Sequence, residues 1–319
     1  MTKTIINFNK PLIDKHEKKF IGDVLKNKKF ADGEYQNKCK IFIQKKIKSK
    51  CIELTHSCSS ALEIAMLLIN LKKDDEVIMP SYTFTSTANA VLLRGAKPVF
   101  VDVNKDDVNL NPRLVEKKIN KKTKAIIVVH YAGVSCDMLY FLKLKKKYGI
   151  FLIEDAAHSF MGKYKNQYLG TIGDIGAFSF HETKNLVGGQ CGAISVNNLT
   201  FKKKVKIILD KGTDRSLINN KKKYYSWCGI GSEYRATELS AALLFGQLAK
   251  LKKIQNLREK IWNKYSKTFS KISNKSVYIL KNKHKFKRSA YHVFALIFRN
   301  IKLRDNFISF MKNKGIDCF

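Results

Sequence analysis

Ala125-Ile-Ile-Val-Val-His130, Met138-Leu-Tyr-Phe-Leu-Lys-Leu-Lys-Lys-Lys-Tyr148 and Ile150-Phe-Leu-Ile-Glu-Asp155 follow one another along the chain. The first and third are short apolar runs rich in β-branched residues, and the middle one reads as a helix. Strand, helix, strand at this separation is a βαβ unit, and strands apolar along their whole length are covered on both faces. Working outward, Glu76–Met79, Pro98–Val103, Gly176–Phe180 and Gly192–Val196 read as further buried strands. Ser59–Leu71, Thr85–Arg94 and Pro112–Ile119 read as helices between them. The expected fold class is α/β, a mostly parallel sheet between helices.

The character changes after about residue 235. Thr237–Phe269 reads as one long amphipathic helix or two. It is followed by the Lys-rich Lys281–Arg288, a strand-like Tyr291–Phe298 and a helix over Leu303–Lys314. The chain then stops at Gly315-Ile-Asp-Cys-Phe319, an apolar run that looks like a strand beginning. The expected organisation is a large domain over 1–235, then a linker helix and a smaller, incomplete C-terminal α+β domain over 236–319.

The 319 residues, 45% of them apolar, suffice for a sizeable core. No run approaches about eighteen consecutive apolar residues, which argues against a spanning helix. The opening MTKTIINFNKPLID lacks the apolar stretch of a secretory signal, so a cytoplasmic protein is expected. A net charge of +35 points first to nucleic acid or an anionic membrane. Yet only eight of the 61 basic residues are Arg, and Lys is a solvated point charge rather than a bidentate phosphate fork. Neither a specific nucleic-acid partner nor membrane insertion is expected. The seven Cys are scattered with no C-x-x-C pair, and no His pair has helical ligand spacing, so no metal site is expected.

Four segments lie where open α/β sheets place ligands, at strand ends or at turns into helices. Thr55-His-Ser-Cys-Ser-Ser-Ala-Leu62 opens a helix with small hydroxylated residues, suited to a phosphate or to an ordinary cap. Pro80-Ser-Tyr-Thr-Phe-Thr-Ser-Thr87 offers Tyr82 and Phe84 as flat surfaces for a ring, or as core aromatics. Glu154-Asp-Ala-Ala-His158 ends a buried strand with two carboxylates that need partners. Asp155 could pair with a protonated ring nitrogen and His158 could reach a neighbouring ring oxygen, or Asp155 could cap a helix. Lys184 lies between a buried-type strand and the glycines up to Gly192, a setting in which a Lys can lose its proton and form a Schiff base. A phosphate nest, a ring stacker, a pyridinium partner and a Schiff-base Lys together are what pyridoxal 5′-phosphate (PLP) requires.

These residues resemble the DegT family of sugar-nucleotide aminotransferases, of PLP fold-type I. The matching segments include DEVIMPSYTFTSTANAVLLRGAKPVFVDV, VVHYAGVSCDM, EDAAH, LGTIGDIGAFSFHETKNLVGGQCGA, KGTDRS and WCGIGSEYRATELSAA, and the similarity runs from Phe8 to the last residue. The resemblance implies that Lys184 carries the Schiff base, Asp155 faces the pyridinium nitrogen and Phe84 stacks on the ring. It places Cys58, Ser59 and Ser179 on the phosphate side. His158, where most members have Gln, is implied at the ring hydroxyl. Many members have Asn at the position of Glu233; a carboxylate beside a phosphate would be repelled, so that role is not carried over.

The resemblance implies transamination of a nucleotide-linked 4-keto-6-deoxy sugar for surface polysaccharides such as lipopolysaccharide. It is strongest to members that convert dTDP-4-dehydro-6-deoxyglucose to dTDP-4-amino-4,6-dideoxygalactose with L-glutamate, for enterobacterial common antigen. It implies a homodimer, with Lys211–Arg215 a candidate for reaching across. Members continue for several tens of residues past GIDCF, so C-terminal truncation is expected. Another nucleotide ketosugar, or an inactive fragment of the fold that binds polyanions, stays open.

Overall fold

The computed structural model describes residues 5–218, 224–272, 276–280 and 287–319. The chain opens with two helices that the apolar pattern does not announce, α1 (Lys15–Asn27) and α2 (Glu34–Ile47), and a short strand β1 (Ile52–Thr55). Then come α3 (Cys58–Leu68), β2 (Glu76–Pro80), α4 (Thr85–Leu92), β3 (Lys97–Val101), α5 (Pro112–Lys118), β4 (Thr123–Val129), α6 (Met138–Tyr148) and β5 (Phe151–Asp155). After two short strands, β6 (Lys163–Tyr164) and β7 (Gln167–Tyr168), follow β8 (Ile175–Ser179), β9 (Gly192–Val196) and α7 (Lys202–Leu209). The remainder is α8 (Glu238–Ala249), α9 (Leu251–Ile272), β10 (Val277–Ile279), β11 (Lys287–Arg288), β12 (Leu296–Phe298) and α10 (Ile301–Asn313).

Seven strands form the main sheet in the order β1-β9-β8-β5-β4-β2-β3. β9 runs against both its neighbours, and the other pairings are parallel. The expectation of a mostly parallel α/β sheet holds, for the reason visible in β4. Its Ala125 and Ile127 face a core with α3, α4 and α7, while Ile126 and Val128 face a second core with α5 and α6. Further along that second face, Phe178 and Phe180 meet α2 and α8. In β4 each residue from Ala125 to Val129 is thus buried on one side or the other, which is why the run is apolar throughout, whereas edge strand β3 leaves Lys97 and Phe100 exposed.

α1 is fixed by a capping box, in which Asp14 accepts from the first-turn backbone and Glu17 accepts from the Asp14 amide at 2.9 Å. Buried Glu17 is then neutralised by Lys250 at 2.6 Å, which ties α1 to the end of α8. α8 follows the expected boundary at residue 235, yet it packs on α1 and α2 within the core of the large sheet. The helix expected over Thr237–Phe269 divides at Lys250. The strand expected over Tyr291–Phe298 is a correction: only Leu296–Phe298 pairs, with β10. Tyr291 has φ +52, and the Ala290 amide is drawn to the Gly133 carbonyl at 3.1 Å, so the chain bends toward the large sheet before it can extend. Most of the Lys281–Arg288 stretch lies outside the described residues. Among the described residues no helix is long and apolar enough to cross a membrane, and no His, Cys, Asp and Glu cluster could hold a metal ion.

Candidate functional site

The topology brings the carboxyl ends of β1, β5 and β8 to one rim. Because β9 is antiparallel, its first residue joins them: Gly192 lies opposite both Thr55 and Ser179. At this rim Ser57 caps α3, its Oγ accepting the Ser60 amide at 3.1 Å, while Ser59 and Ser86 hydroxyls meet at 2.6 Å. The Cys58 and Ser59 amides, in the first turn, have no intrahelical acceptor and face outward with the positive end of the helix. A Cβ on Gly192 would stand 2.4 Å from the Ser57 carbonyl carbon and 2.6 Å from the Cys58 nitrogen. Only Gly lets the lysine hairpin and the serine turn approach this closely.

Glu154 and Asp155 end β5 on opposite faces. Buried Glu154 accepts from the amides of Gly170, Ile172 and Gly173 at 2.7–2.8 Å and from His130 Nε2 at 2.9 Å. Asp155, also buried, accepts among the described residues from Thr87 Oγ1 at 2.9 Å and the Ala157 amide at 3.2 Å. Burial pushes its pKa up, against the pull of those two bonds and of the Lys184 and His130 charges. A cation placed beside it would relieve that imbalance.

Lys184 lies in the turn that joins β8 to β9, its amide bonded to the His181 carbonyl at 2.9 Å. Its Nζ has no ion-pair partner among the described residues. Burial pushes its pKa down, while Cys58 and Asp155 pull it back up. The same burial pushes the Cys58 thiol well up, so that side chain stays protonated. His158 Nδ1 accepts the Ala132 amide at 3.3 Å, and burial beside the Lys184 charge lowers its pKa to about 3. The ring is neutral at physiological pH, with its proton on Nε2. Gly133 permits this approach: at φ +81, a Cβ there would lie 2.9 Å from the His158 carbonyl oxygen.

Cys58, Ser59, Asp155, His158, Ser179 and Lys184, as expected from the sequence, thus come together at one rim. Ser179 is buried, with its Oγ accepting the His181 amide at 3.4 Å. Phe84 immediately precedes α4 on the same rim, but its ring is 76% exposed. Lys211 and Arg215, expected to reach across to a partner, are occupied within this chain. Lys211 pairs with Glu233, and Arg215 with Asp210 at 3.0 Å. Glu233 is held on its other side by Arg235 at 2.7 Å, and these two cations depress its pKa. Sequence reading passed over Thr87, Asn185, Arg258 and His292. Thr87 stands in the quoted PSYTFTST segment and Asn185 directly follows Lys184; Arg258 and His292 reach the site only through tertiary contacts.

The donor set fits PLP: an amine biased toward its neutral form, a buried carboxylate short of counter-charge, and a helix start with free amides and hydroxyls and no carboxylate among them. Residues 11–319 match the DegT/DnrJ/EryC1/StrS aminotransferase family. An uncharacterized protein of Methanocaldococcus jannaschii is 33% identical over 314 residues, 96% of this chain and 81% of its own length. Spore coat polysaccharide biosynthesis protein SpsC of Bacillus subtilis is 32% identical over 91% of this chain and 75% of its own. Among solved structures, PseC of Helicobacter pylori, an aminotransferase of pseudoaminic acid biosynthesis, superposes with a TM-score of 0.88 at 26% identity, covering 98% of this chain and 83% of that one. The PLP form of a putative sugar aminotransferase of Streptococcus pneumoniae superposes at 0.89 with 23% identity, over 98% and 83%. The chain belongs to the DegT/DnrJ/EryC1/StrS family and is a PLP-dependent aminotransferase.

Proposed function

We propose that this aminotransferase aminates a nucleotide-linked 4-keto-6-deoxy sugar, dTDP-4-dehydro-6-deoxyglucose, with L-glutamate as donor, in surface polysaccharide synthesis. The observation that carries the chemistry is the half-buried Lys184 amine, without an ion-pair partner among the described residues, beside the under-compensated Asp155. The sugar class is supported by the relatives, one a spore coat polysaccharide protein and one an aminotransferase of pseudoaminic acid biosynthesis.

PLP, when bound, withdraws electrons from the carbon that gains or loses the amino group. The chain's residues do the rest. Asp155, fixed by Thr87 and the Ala157 amide, holds its carboxylate as counter-charge for the ring nitrogen. His158 presents Nε2–H to the ring oxygen, and Phe84 covers a ring face. The Cys58 and Ser59 amides with the Ser59 and Ser179 hydroxyls take the phosphate. Lys184 Nζ anchors the cofactor, and once released its neutral amine moves the proton at the reacting carbon. Glutamate leaves as 2-oxoglutarate and the ketosugar leaves as the amine, so one site serves both halves. A second copy of the chain completes the site in this reading, covering the exposed Phe84, Tyr224, Tyr225 and Trp227. The +35 charge favours approach of a nucleotide diphosphate.

The test is to incubate the purified chain with PLP, L-glutamate and a panel of dTDP- and UDP-linked ketosugars, and to follow the amino sugar by mass spectrometry. Amination of dTDP-4-dehydro-6-deoxyglucose, abolished in Lys184→Ala, is the expected result. Cofactor absorbance with no transfer to any ketosugar overturns the proposal, and preference for another ketosugar overturns the choice of sugar.

A further inference from the structure

His292, on the segment between β11 and β12, lies far from His158 in sequence, yet their rings stack with centroids 4.5 Å apart and planes at 39°. His292 is buried and His158 half-buried, and their polar atoms are fixed from opposite sides. His158 Nδ1 accepts the Ala132 amide, which leaves its proton on Nε2. His292 Nδ1 lies 2.9 Å from Asn185 Oδ1. The Asn185 amide cannot flip without losing the bond from its Nδ2 to the Ala290 carbonyl at 2.6 Å. The atom facing His292 is therefore an acceptor, and the His292 proton sits on Nδ1. The His292 carbonyl accepts from Arg258 Nη1 at 3.0 Å, and Nη2 of the same guanidinium reaches the Lys184 carbonyl at 3.4 Å. Lys184 and Asn185, adjacent on an irregular turn, are thus both tied to residue 292.

We infer that His292 is a positioning residue for this site: stacked on His158 and donating to Asn185, it sets the plane of the His158 ring and the backbone that carries Lys184. The inference rests on the roles proposed above for Lys184 and His158. Without the stack, His158 would be held only by one long hydrogen bond and an edge contact to Tyr131 among the described residues, and its ring would turn more freely. Without the donation, Asn185 would lose one of its two side-chain bonds, keeping that to the Ala290 carbonyl, and the Lys184 turn would be held less firmly on that side. Loss of solvent contact, and then the charge of Lys184 on both rings and of Arg258 on His292, lowers both pKa values and keeps the pair uncharged.

Two substitutions separate the contributions. His292→Phe keeps a ring and removes the Nδ1 donor, and His292→Asn keeps a donor and removes the ring. In the PLP-loaded enzyme each is expected to lower kcat on the order of 10-fold to 100-fold with little change in KM. Each is also expected to move the pH midpoint of the cofactor's visible absorbance. The losses should be non-additive: His292→Asn adds nothing once His158→Ala is present, and His292→Phe adds nothing once Asn185→Ala is present. In the apoprotein, 15N-imidazole spectra should show His292 protonated on Nδ1 and His158 on Nε2. Unchanged kcat and midpoint in both variants, additive double mutants, or the opposite tautomers overturn the inference. A wild-type chain that transaminates nothing overturns the functional reading instead, and the tautomers and absorbance midpoint still decide the role of His292.

Discussion

Glu154 and Asp155 are neighbours on one strand, and the two sides of the sheet treat them oppositely. Behind β5, Glu154 receives three backbone amides and His130, so every donor in that pocket is matched. In front, Asp155 receives two donors and is left with charge in surplus. A carboxylate that is saturated holds loops together, as Glu154 does for the 170–173 turn. A carboxylate left short is reserved for something cationic that the chain itself does not provide. Burial alone would not separate the two, since both are buried; the count of donors does.

That contrast can be broken by mutation. The largest effect is expected at Lys184: Lys184→Ala should lower transamination on the order of 10³-fold or more, with thermal unfolding little changed, measured by single-turnover mass spectrometry and circular dichroism. Asp155→Asn should lower kcat by about 10²-fold to 10³-fold while leaving apoprotein stability equal or higher, since it removes a buried charge. Glu154→Ala should do the reverse, destabilising by about 3–5 kcal/mol in urea titration because the 170–173 amides and His130 lose their acceptor. If both variants lose stability alike, the contrast between the two faces fails.

Smaller effects sharpen it. Thr87→Val deletes one of the two bonds to Asp155 and should cost about 1 kcal/mol of transition-state stabilisation, read as roughly fivefold in kcat. The pH dependence of apoprotein stability should carry the mark of His158, whose pKa falls from 6.5 unfolded to about 3 folded. The unfolded chain then binds more protons between those values, so this contribution is whole above pH 6.5 and is lost as pH falls toward 3. His158→Gln should flatten that limb of the urea-midpoint profile, and an unchanged slope would refute the neutral ring.

The parallel sheet was legible because a strand covered on both faces has to be apolar at every position, as Ala125–Val129 is. α1 and α2 escaped notice because apolar Leu25 and Ile41 face solvent while Glu17 is buried, which blurs the apolar stripe. The signal for α1 was nonetheless present in Asp14 and Glu17, three residues apart at a helix start. Tyr291–Ala295 was misread as strand because β-type residues say nothing about the Gly133 contact that bends the chain. Lys184 and Asp155 stood out because their chemistry clashes with their apolar setting. His292 and Arg258 did not, because each gains its meaning from a neighbour supplied by distant sequence.

The single reversed strand, β9, has a consequence for what changes this chain can tolerate. Lys184 rides on a hairpin whose two arms are locked in register, with Ser179 opposite Gly192 and Gly192 opposite Thr55. Gaining or losing one residue inside β8 or β9 would exchange the faces of everything beyond it and turn the serine rim away from the lysine. A length change in the turn between them would leave the ladder intact. It would still shift Lys184 and Asn185 against Asp155 and His292, so natural and engineered versions should keep the length of the whole hairpin.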